Sequence, residues 1–553
     1  MSDIRITYSL GEYQSAVNSA LEKMREDNIL SRIRAKDYTV WKPTPDEITN
    51  RMDWLVAPAE TLDKTNYIRA VLEPLRGKNI RDVVLLGIGG SSLAAEVFDK
   101  ILGNQAGHPR LHIMDTTDPV LIARLTDNID PRNTLFLVSS KSGTTLEISS
   151  LFKYFYNLAL KNSGRSAGSR FIFITDKGSP LIKTAEVIAA HFTFFSNSGI
   201  GGRYTALSLT GMVPAAVIGI DVEKLLQNVS SNTESLMSTG ASLGATLGTL
   251  AGAGRDKLTF ILPPRWKSFG NWLEQLIAES TGKEGKGILP VLDEPFTENT
   301  FYGKDRVFVI FQHQDETKSF PADFLVSKGH PVITIKINDN YDLGAQMYIW
   351  EMATTVAAHF LNINPFDQPD VEATKKHTRA VIADLDKKMA DEQPAITFAQ
   401  GDIFGKISGT TPAETLTNFL TQAKAGDYVC LQIYLSPSPE IEAAVNLLRQ
   451  NISQKHSLPV TFGYGPRYLH STGQLHKGDS GNGLFIQLTQ DNEMDVNIPD
   501  EIGKDESSLT FGALKAAQAK GDRQALMEAG RRVIRFHFRK NPAASLKNLA
   551  ESL

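Results

Sequence analysis

A run of small hydroxyl side chains, SSKSGTT, follows the apolar segment TLFLV (134–138) and precedes a segment with helical periodicity. A loop between a strand and a helix receives the free N–H groups and the positive dipole end of that helix, which favour an anion. Gly143 lets the backbone approach a ligand closely. An alternative interpretation is that Thr144 and Glu147 form only a capping box. We predict a site for a monoester phosphate with the candidate residues Ser140, Lys141, Ser142 and Thr145.

The segment GIGGSS (87–92) follows another apolar run, VVLLG, and offers Gly90 and Ser91 as further binding residues. It matches a dinucleotide-binding fingerprint only in part, because Ser92 stands where the third glycine belongs. A nicotinamide-dependent dehydrogenase therefore stays an alternative. The sequence contains no Walker A motif, no HExxH zinc motif and no EF-hand loop.

The composition narrows the class of protein. The chain has 553 residues, of which 41% are hydrophobic and 22% charged, and its net charge of −4 argues against nucleic acid as the main partner. Its one cysteine, Cys430, excludes an intramolecular disulfide and a cysteine-rich zinc site. Because neither an apolar leader nor a long apolar segment occurs, we predict a cytoplasmic protein with no membrane partner.

Short apolar runs alternate with longer segments of helical periodicity, which predicts an α/β fold with parallel sheets. The loops at the carboxyl ends of parallel strands line the ligand crevice in such folds. The acidic segment 490–508 is predicted to be a solvated loop, and the basic segment 530–540 a helix with a charged face. The predicted strands lie at 83–87, 134–138, 171–175, 258–262, 307–311, 332–337, 429–435 and 484–489. The predicted division is a helical arm (1–80), a first α/β domain (81–222), a second (223–392) and a C-terminal extension (393–553).

Six motifs together resemble the phosphoglucose isomerase family: GIGGSS, SKSGTT, GIGGRYTALSLTGMVPAA (199–216), WLEQLIAESTGKEGKG (272–287), NPFDQPDVEATKK (364–376) and LHSTGQLHKG (469–478). The last motif departs from the usual order, because in the family it precedes the FDQ motif. This arrangement resembles the isomerase part of transaldolase–phosphoglucose isomerase fusions. The resemblance implies two doubly wound sugar-isomerase (SIS) domains plus the C-terminal α/β extension, and a reversible isomerisation of glucose 6-phosphate and fructose 6-phosphate without cofactor or metal ion.

The resemblance also implies residue roles. Glu279 would carry a proton between C2 and C1, and Arg203, beside Gly202, would stabilise the enediolate charge. His470 and Lys375 would open the sugar ring, with Glu147 orienting the histidine.

Three further expectations accompany these roles. Gln368 and Lys375 are seven residues apart, so both are predicted to project from one helix into the cleft. His476 is a possible substitute for His470, or a partner to it in a metal site. The family resemblance implies a homodimer in which the partner subunit supplies the histidine. A non-catalytic sugar-phosphate sensor and an isomerase that also accepts mannose 6-phosphate stay open as alternatives.

Overall fold

The computed structural model describes residues 4–294, 301–314, 322–383 and 393–553, and it confirms the α/β fold with parallel sheets. All eight predicted apolar runs form strands, and most of their side chains are buried. The described strands are β1 (Ile6–Ser9), β2 (Asp82–Leu86), β3 (Arg110–Met114), β4 (Thr134–Ser139), β5 (Phe171–Asp176), β6 (Phe192–Ser196), β7 (Lys257–Ile261), β8 (Leu289–Val291), β9 (Arg306–His313), β10 (Val332–Ile337), β11 (Ile396–Phe398), β12 (Gly401–Phe404), β13 (Tyr428–Tyr434), β14 (Val460–Tyr464), β15 (Gly483–Gln490), β16 (Asn497–Ile498), β17 (Leu509–Thr510) and β18 (Arg532–Phe538).

Helices cover the sheets and connect the parallel strands. No helix in the described parts of the chain is both long and apolar enough to cross a lipid bilayer. The described α-helices are α1 (Gln14–Glu26), α2 (Ile29–Arg34), α3 (Ala57–Leu62), α4 (Thr65–Arg76), α5 (Leu93–Leu102), α6 (Pro119–Asn128), α7 (Leu146–Ser163), α8 (Pro180–Val187), α9 (Leu209–Val217), α10 (Val222–Ser230), α11 (Thr233–Gly252), α12 (Lys267–Thr281), α13 (Ala322–Ser327), α14 (Asp342–Phe360), α15 (Val371–Ala383), α16 (Pro412–Leu420), α17 (Pro439–His456), α18 (Gly473–Gly478), α19 (Phe511–Glu528) and α20 (Pro542–Glu551).

The first sheet has the strand order β3-β2-β4-β5-β6, and all of its strands are parallel. The chain leaves β2 toward one edge of the sheet and returns to β4 on the other side. The direction of winding therefore reverses between β2 and β4, and ligands bind at such a reversal, outside the carboxyl ends of the strands. The glycine loop follows β2 and the hydroxyl loop follows β4, so the two predicted binding loops flank this point.

The second sheet has the order β1-β10-β9-β7-β8. Its β1 comes from the N-terminal region and pairs antiparallel with β10, so that region contributes a strand as well as the predicted helices. Helix α12 follows β7 and carries the Glu279 motif toward the first sheet, where it packs against α5.

The third sheet, β11-β12-β18-β15-β13-β14, lies in the C-terminal region. The predicted helix at 530–540 is wrong, because its central part forms strand β18 between β12 and β15. Ile534, Phe536 and Phe538 are buried and alternate with Arg535 and His537, which is the period of two typical of a strand.

The acidic segment 490–508 is not simply a solvated loop. It contains β16, whose Ile498 is buried, and its backbone accepts hydrogen bonds from α7. The Lys153 ammonium donates to the Asp500 carbonyl at 2.8 Å, and the Asn157 amide donates to the Lys504 carbonyl at 2.6 Å. Most of the segment is exposed, as predicted, but its hydrogen bonds to α7 also attach the C-terminal region to a helix that covers the first sheet.

Candidate active site

A cleft of about 360 Å³ opens where the loops after β2 and β4 meet α12, α15 and the short 3-10 helix Arg467–His470. The cleft joins segments that are far apart in the sequence, because each of the three sheets contributes a loop or helix to it. Its lining includes Gly90, Ser91, Ser140, Lys141, Ser142, Thr145, Gly202, Arg203, Glu279, Gln368, Lys375 and His470.

The hydroxyl loop leaves the first N–H groups of α7 without a capping side chain. Thr145 is the N-cap residue and makes no side-chain capping bond, while the Gly143 N–H donates to Ser140 Oγ at 3.2 Å. The capping-box interpretation of Thr144 and Glu147 is therefore wrong, because the Glu147 carboxylate points to His470 instead. An uncapped helix N-terminus surrounded by hydroxyls is a site that suits an anion.

Lys141 is held at the side of this loop. Its ammonium lies 3.1 Å from Asp176 Oδ2 and donates to the Asn197 carbonyl at 3.0 Å. Burial lowers the pKa of Lys141, against the opposing effect of Asp176. The ammonium is thus fixed by protein partners and brings a localised positive charge to the edge of the cleft.

The glycines of GIGGSS allow other backbones to approach. A Cβ on Gly90 would lie 2.0 Å from the Gly202 carbonyl oxygen, and one on Gly89 would lie 3.0 Å from the His470 carbonyl oxygen. Gly89 also has φ +58°, a conformation that favours glycine. These contacts account for the glycines without a dinucleotide, which weakens the dehydrogenase alternative.

Arg203 is almost fully buried, with 2% of its surface exposed, and its guanidinium is held on several sides. Its Nε donates to Ser280 Oγ at 2.8 Å, and its terminal nitrogens donate to Gln368 Oε1 and to the Asp367 carbonyl, each at 2.9 Å. One terminal nitrogen also lies 3.4 Å from Glu279 Oε1. Because these bonds fix its orientation, Arg203 presents a preorganised positive charge beside the carboxylate.

Glu279 lies in the last turn of α12 and lines the cleft. Gln275, one turn earlier, donates from its amide to Glu279 Oε2 at 3.1 Å and to the His470 carbonyl at 2.7 Å. Sequence analysis missed Gln275, although its spacing of four residues from Glu279 on a helix was a usable signal. Gln275 connects the carboxylate to the segment that carries the histidine.

His470 and Glu147 of the same chain form a pair, with His470 Nε2 2.9 Å from Glu147 Oε1. Gln518 donates to the same carboxylate oxygen at 2.7 Å. Burial acts to raise the pKa of Glu147, but the His470 charge and hydrogen bond outweigh it, and the net pKa is lowered. Glu147 is therefore an ionised carboxylate facing the imidazole, an arrangement that orients the ring.

Lys375 lies at the mouth of the cleft. Its side chain is 45% exposed, and its ammonium pairs with Glu372 at 2.6 Å. Gln368 also lines the cleft, but α15 begins at Val371, so the prediction that one helix presents both residues is wrong. His476 lies outside the cleft lining and is fully buried beside Cys430, so it is not a substitute for His470.

Two basic residues near the cleft were not predicted. Arg51 lines the cleft because its segment bridges to Ile200, but nothing in its sequence context indicates that position. Lys283 is buried at the end of the glutamate motif, and its ammonium lies 2.7 Å from Asp367 Oδ1. Burial, followed by the Arg203 charge, lowers the pKa of Lys283 to about 8.

Comparison with known proteins shows which proteins this chain is similar to. A family model described as phosphoglucose isomerase matches residues 63–327. A glucose-6-phosphate isomerase from Levilactobacillus brevis is 27% identical over 431 residues, which cover 68% of this chain and 92% of that protein. One from Rubrobacter xylanophilus is 29% identical over 366 residues, which cover 56% of this chain and 84% of that protein.

Two solved structures share the fold. A hypothetical protein from Thermus thermophilus aligns with a TM-score of 0.57 and 24% identity over 69% of this chain and all of its own. A glucose-6-phosphate isomerase from Chlamydia trachomatis aligns with a TM-score of 0.56 and 17% identity over 70% of this chain and 90% of its own. In its motifs, its parallel sheets and these matches, the chain is similar to phosphoglucose isomerases.

Proposed function

We propose that this protein interconverts glucose 6-phosphate and fructose 6-phosphate. The observation that carries the proposal is that one cleft contains an uncapped, hydroxyl-rich helix N-terminus, a Glu279–Arg203 pair and a His470–Glu147 pair. An aldose–ketose isomerase needs these three functions: an anchor for the phosphate, a base beside a positive charge, and an acid–base group for the ring.

The phosphate binds at the start of α7. Its oxygens accept hydrogen bonds from the helix N–H groups and from the hydroxyls of Ser140, Ser142 and Thr145, and Lys141 supplies charge from the side. Because the phosphate does not change during the reaction, its binding energy serves to hold the sugar carbons in position.

Ring opening uses His470 and Lys375. One group takes the proton of the anomeric hydroxyl while the other gives a proton to the ring oxygen, which breaks the C–O bond and forms the carbonyl. Glu147 holds the imidazole, which orients His470 for proton exchange with the sugar ring. The exposed Lys375 reaches the substrate from the mouth of the cleft.

Proton transfer uses Glu279. The carboxylate takes the proton from C2 of the open aldose, the electrons move onto O1, and an enediolate forms. Arg203 stabilises that charge, at about 3 kcal/mol per preorganised donor in comparable sites. Glu279 then returns the proton to C1 while the O2 proton moves to O1, which leaves the ketose.

The homodimer implied by the family resemblance and the cytoplasmic location predicted from the sequence composition stay predictions. The chemistry proposed here does not require a partner residue, because His470 contacts Glu147 of its own chain. The C-terminal region takes the role that the family resemblance assigned to a partner subunit. In this proposal, the activity of one chain therefore does not depend on its association with a second chain.

Conversion of fructose 6-phosphate to glucose 6-phosphate in the presence of EDTA tests the function. We expect activity in the wild type and a loss of about 100-fold or more in Glu279→Gln, since general-base removal costs at least about that much. Glu284→Gln is the matched control, because Glu284 lies in the same motif but pairs with Lys42 outside the cleft.

Two results would refute the proposal. A wild type that binds the sugar phosphate without converting it would support the sensor alternative, and equal rates for wild type and Glu279→Gln would reject Glu279 as the base. Conversion of mannose 6-phosphate at a comparable rate would extend the proposal to the broader isomerase.

A further inference from the structure

Helix α19 in the C-terminal region carries polar side chains on a buried face. Lys515, Gln518 and Asp522 follow one another at intervals of three and four residues, and at most 3% of the surface of each is exposed. None of them lines the cleft. We propose that α19, through Gln518 and Asp522, positions the ring-opening pair His470 and Lys375. This inference rests on the proposed function.

Gln518 fixes the partner of the histidine. Its amide nitrogen donates to Glu147 Oε1 at 2.7 Å, and its amide oxygen accepts from Thr117 Oγ1 at 2.8 Å. The two bonds set the orientation of the amide, so the donor faces Glu147. Glu147 Oε1 in turn lies 2.9 Å from His470 Nε2. Gln518 is therefore one contact removed from the imidazole.

Asp522 holds the backbone that carries the histidine. Tyr468 Oη donates to Asp522 Oδ2 at 2.7 Å, and Tyr468 lies two residues before His470 in the same 3-10 helix. The other carboxylate oxygen pairs with the Lys477 ammonium at 2.6 Å. Lys477 follows the histidine in the same motif, so Asp522 bonds to that motif on both sides of His470.

Asp522 also holds the helix that carries the lysine. Thr374, immediately before Lys375, donates from Oγ1 to Asp522 Oδ1 at 3.3 Å. The two helices are in close contact there, because a Cβ on Gly521 would lie 2.6 Å from Thr378 Oγ1. A single buried carboxylate thus bonds to both segments that present the acid and the base.

The proton-transfer pair has other supports. Arg203 is bonded to Ser280, Gln368 and the Asp367 carbonyl, and Glu279 is bonded to Gln275. None of these partners contacts Asp522 among the described residues. Gln275 also bonds to the His470 carbonyl, but that bond does not involve Asp522, so loss of the Asp522 bonds should slow ring opening and leave proton transfer at C1 and C2 largely intact.

The test compares a cyclic substrate with one that cannot close. Fructose 6-phosphate is mostly a furanose closed through its C5 hydroxyl, whereas 5-deoxyfructose 6-phosphate lacks that hydroxyl and stays open. Exchange of the C1 proton with D₂O, followed by NMR, reports proton transfer for both. For Asp522→Asn we expect kcat/KM on the cyclic substrate to fall about 10- to 100-fold, as for other outer-shell partners. The open analogue should keep the wild-type rate.

Two milder variants protect the test against a failure of Asp522→Asn to fold. Tyr468→Phe removes the bond on the histidine side, and Thr374→Val removes the one on the lysine side, with little change in volume. Each should show the same selective loss. Asp427→Asn is the control, because Asp427 pairs with Arg532 at 2.8 Å just before the N-terminal end of β13. This variant should show no substrate-selective loss.

The outcomes separate this proposal from the proposed function. Equal losses on both substrates in the three variants would mean that Asp522 only stabilises the fold. Wild-type rates on both substrates in Tyr468→Phe and Thr374→Val would mean that these contacts do not affect ring opening. Either result overturns the proposal. A wild type that exchanges neither substrate would instead refute the proposed function, and this inference with it.

Discussion

Replacing Arg203 by methionine removes a buried positive charge from beside the Glu279 carboxylate while keeping a side chain of similar length. In the proposed mechanism this charge faces the enediolate, which is more negative at that position than the substrate. The change should therefore lower kcat, because it removes an interaction that strengthens in the transition state.

The magnitude follows from distance and environment. Two unit charges about 4 Å apart interact by about 4 kcal/mol at an effective dielectric constant near 20. Loss of one preorganised oxyanion donor costs about 3 kcal/mol in comparable enzymes. At about 1.4 kcal/mol per tenfold in rate, kcat should fall roughly 100- to 1,000-fold in Arg203→Met.

The same change leaves hydrogen-bond acceptors of Ser280, Gln368 and Asp367 without their donor. Each buried acceptor left unpaired costs about 1–3 kcal/mol, so stability should fall as well. Circular dichroism and urea denaturation give the folded fraction by which kcat is corrected. Arg203→Lys, which keeps the charge but fewer donors, should have an intermediate kcat. A folded Arg203→Met protein with the wild-type kcat would refute the reasoning.

Three further predictions concern packing and pH. Gly90→Ala should abolish isomerisation, because its Cβ would lie 2.0 Å from the Gly202 carbonyl oxygen, and melting temperature together with kcat checks this. Lys283 has a folded pKa of about 8, below its ordinary 10.5, so its contribution to stability is present above pH 10.5 and is lost as pH falls through 8. Relative to Lys283→Met, the wild type should therefore gain free energy of unfolding between pH 8 and 10, by up to about 1.4 kcal/mol per unit in urea denaturation. Burial raises the pKa of the Glu351 carboxyl well above 4.5. The contribution of this group to the free energy of unfolding is therefore fully present below pH 4.5 and is lost as pH rises. Glu351→Gln should gain stability relative to wild type between pH 5 and 7, with a slope of up to about 1.4 kcal/mol per unit.

Each of these has a contradicting result. An active Gly90→Ala protein would show that the glycine loop yields to a methyl group. A stability difference for Lys283→Met that stays flat between pH 8 and 10 would mean that the lysine keeps its ordinary pKa. For Glu351→Gln, a loss of stability at pH 7 would mean that the buried carboxylate has an ionic role, and Glu60→Gln on the exposed face of α3 is its control.

The sequence predicted those parts of the fold whose signal is local. Uninterrupted apolar runs such as 134–138 identified central strands, whereas edge strands with mixed composition, such as β3 (RLHIM), gave no clear signal. The sequence of strand β18 predicts a helix when its basic residues are read as one charged face, and its alternation of apolar and polar residues shows the strand. Tertiary context decided these cases.

In the site, too, residues with a local signal could be predicted and residues placed by distant contacts could not. The hydroxyl and glycine loops follow buried strands, so their position at the crevice was predictable from neighbouring residues. Arg51, Gln518 and Asp522 each contact a chain segment more than 140 residues away, and each of these residues looks ordinary in its own helix or turn. Only the packing of the C-terminal region brings α19 into contact with Glu147 and with the helix that carries Lys375.

In the proposed mechanism, Glu279 carries a proton between C2 and C1 in a cleft completed by His470 of the same chain. Glucose 6-phosphate labelled with deuterium at C2 tests it most directly, with the label at C1 of the product measured by mass spectrometry at limiting protein concentration. The account predicts that the wild type delivers part of the label to C1 and loses part to water, because a carboxylate carries it. Glu279→Gln should do neither. Transfer of the label to C1 by Glu279→Gln at the wild-type rate would contradict the account.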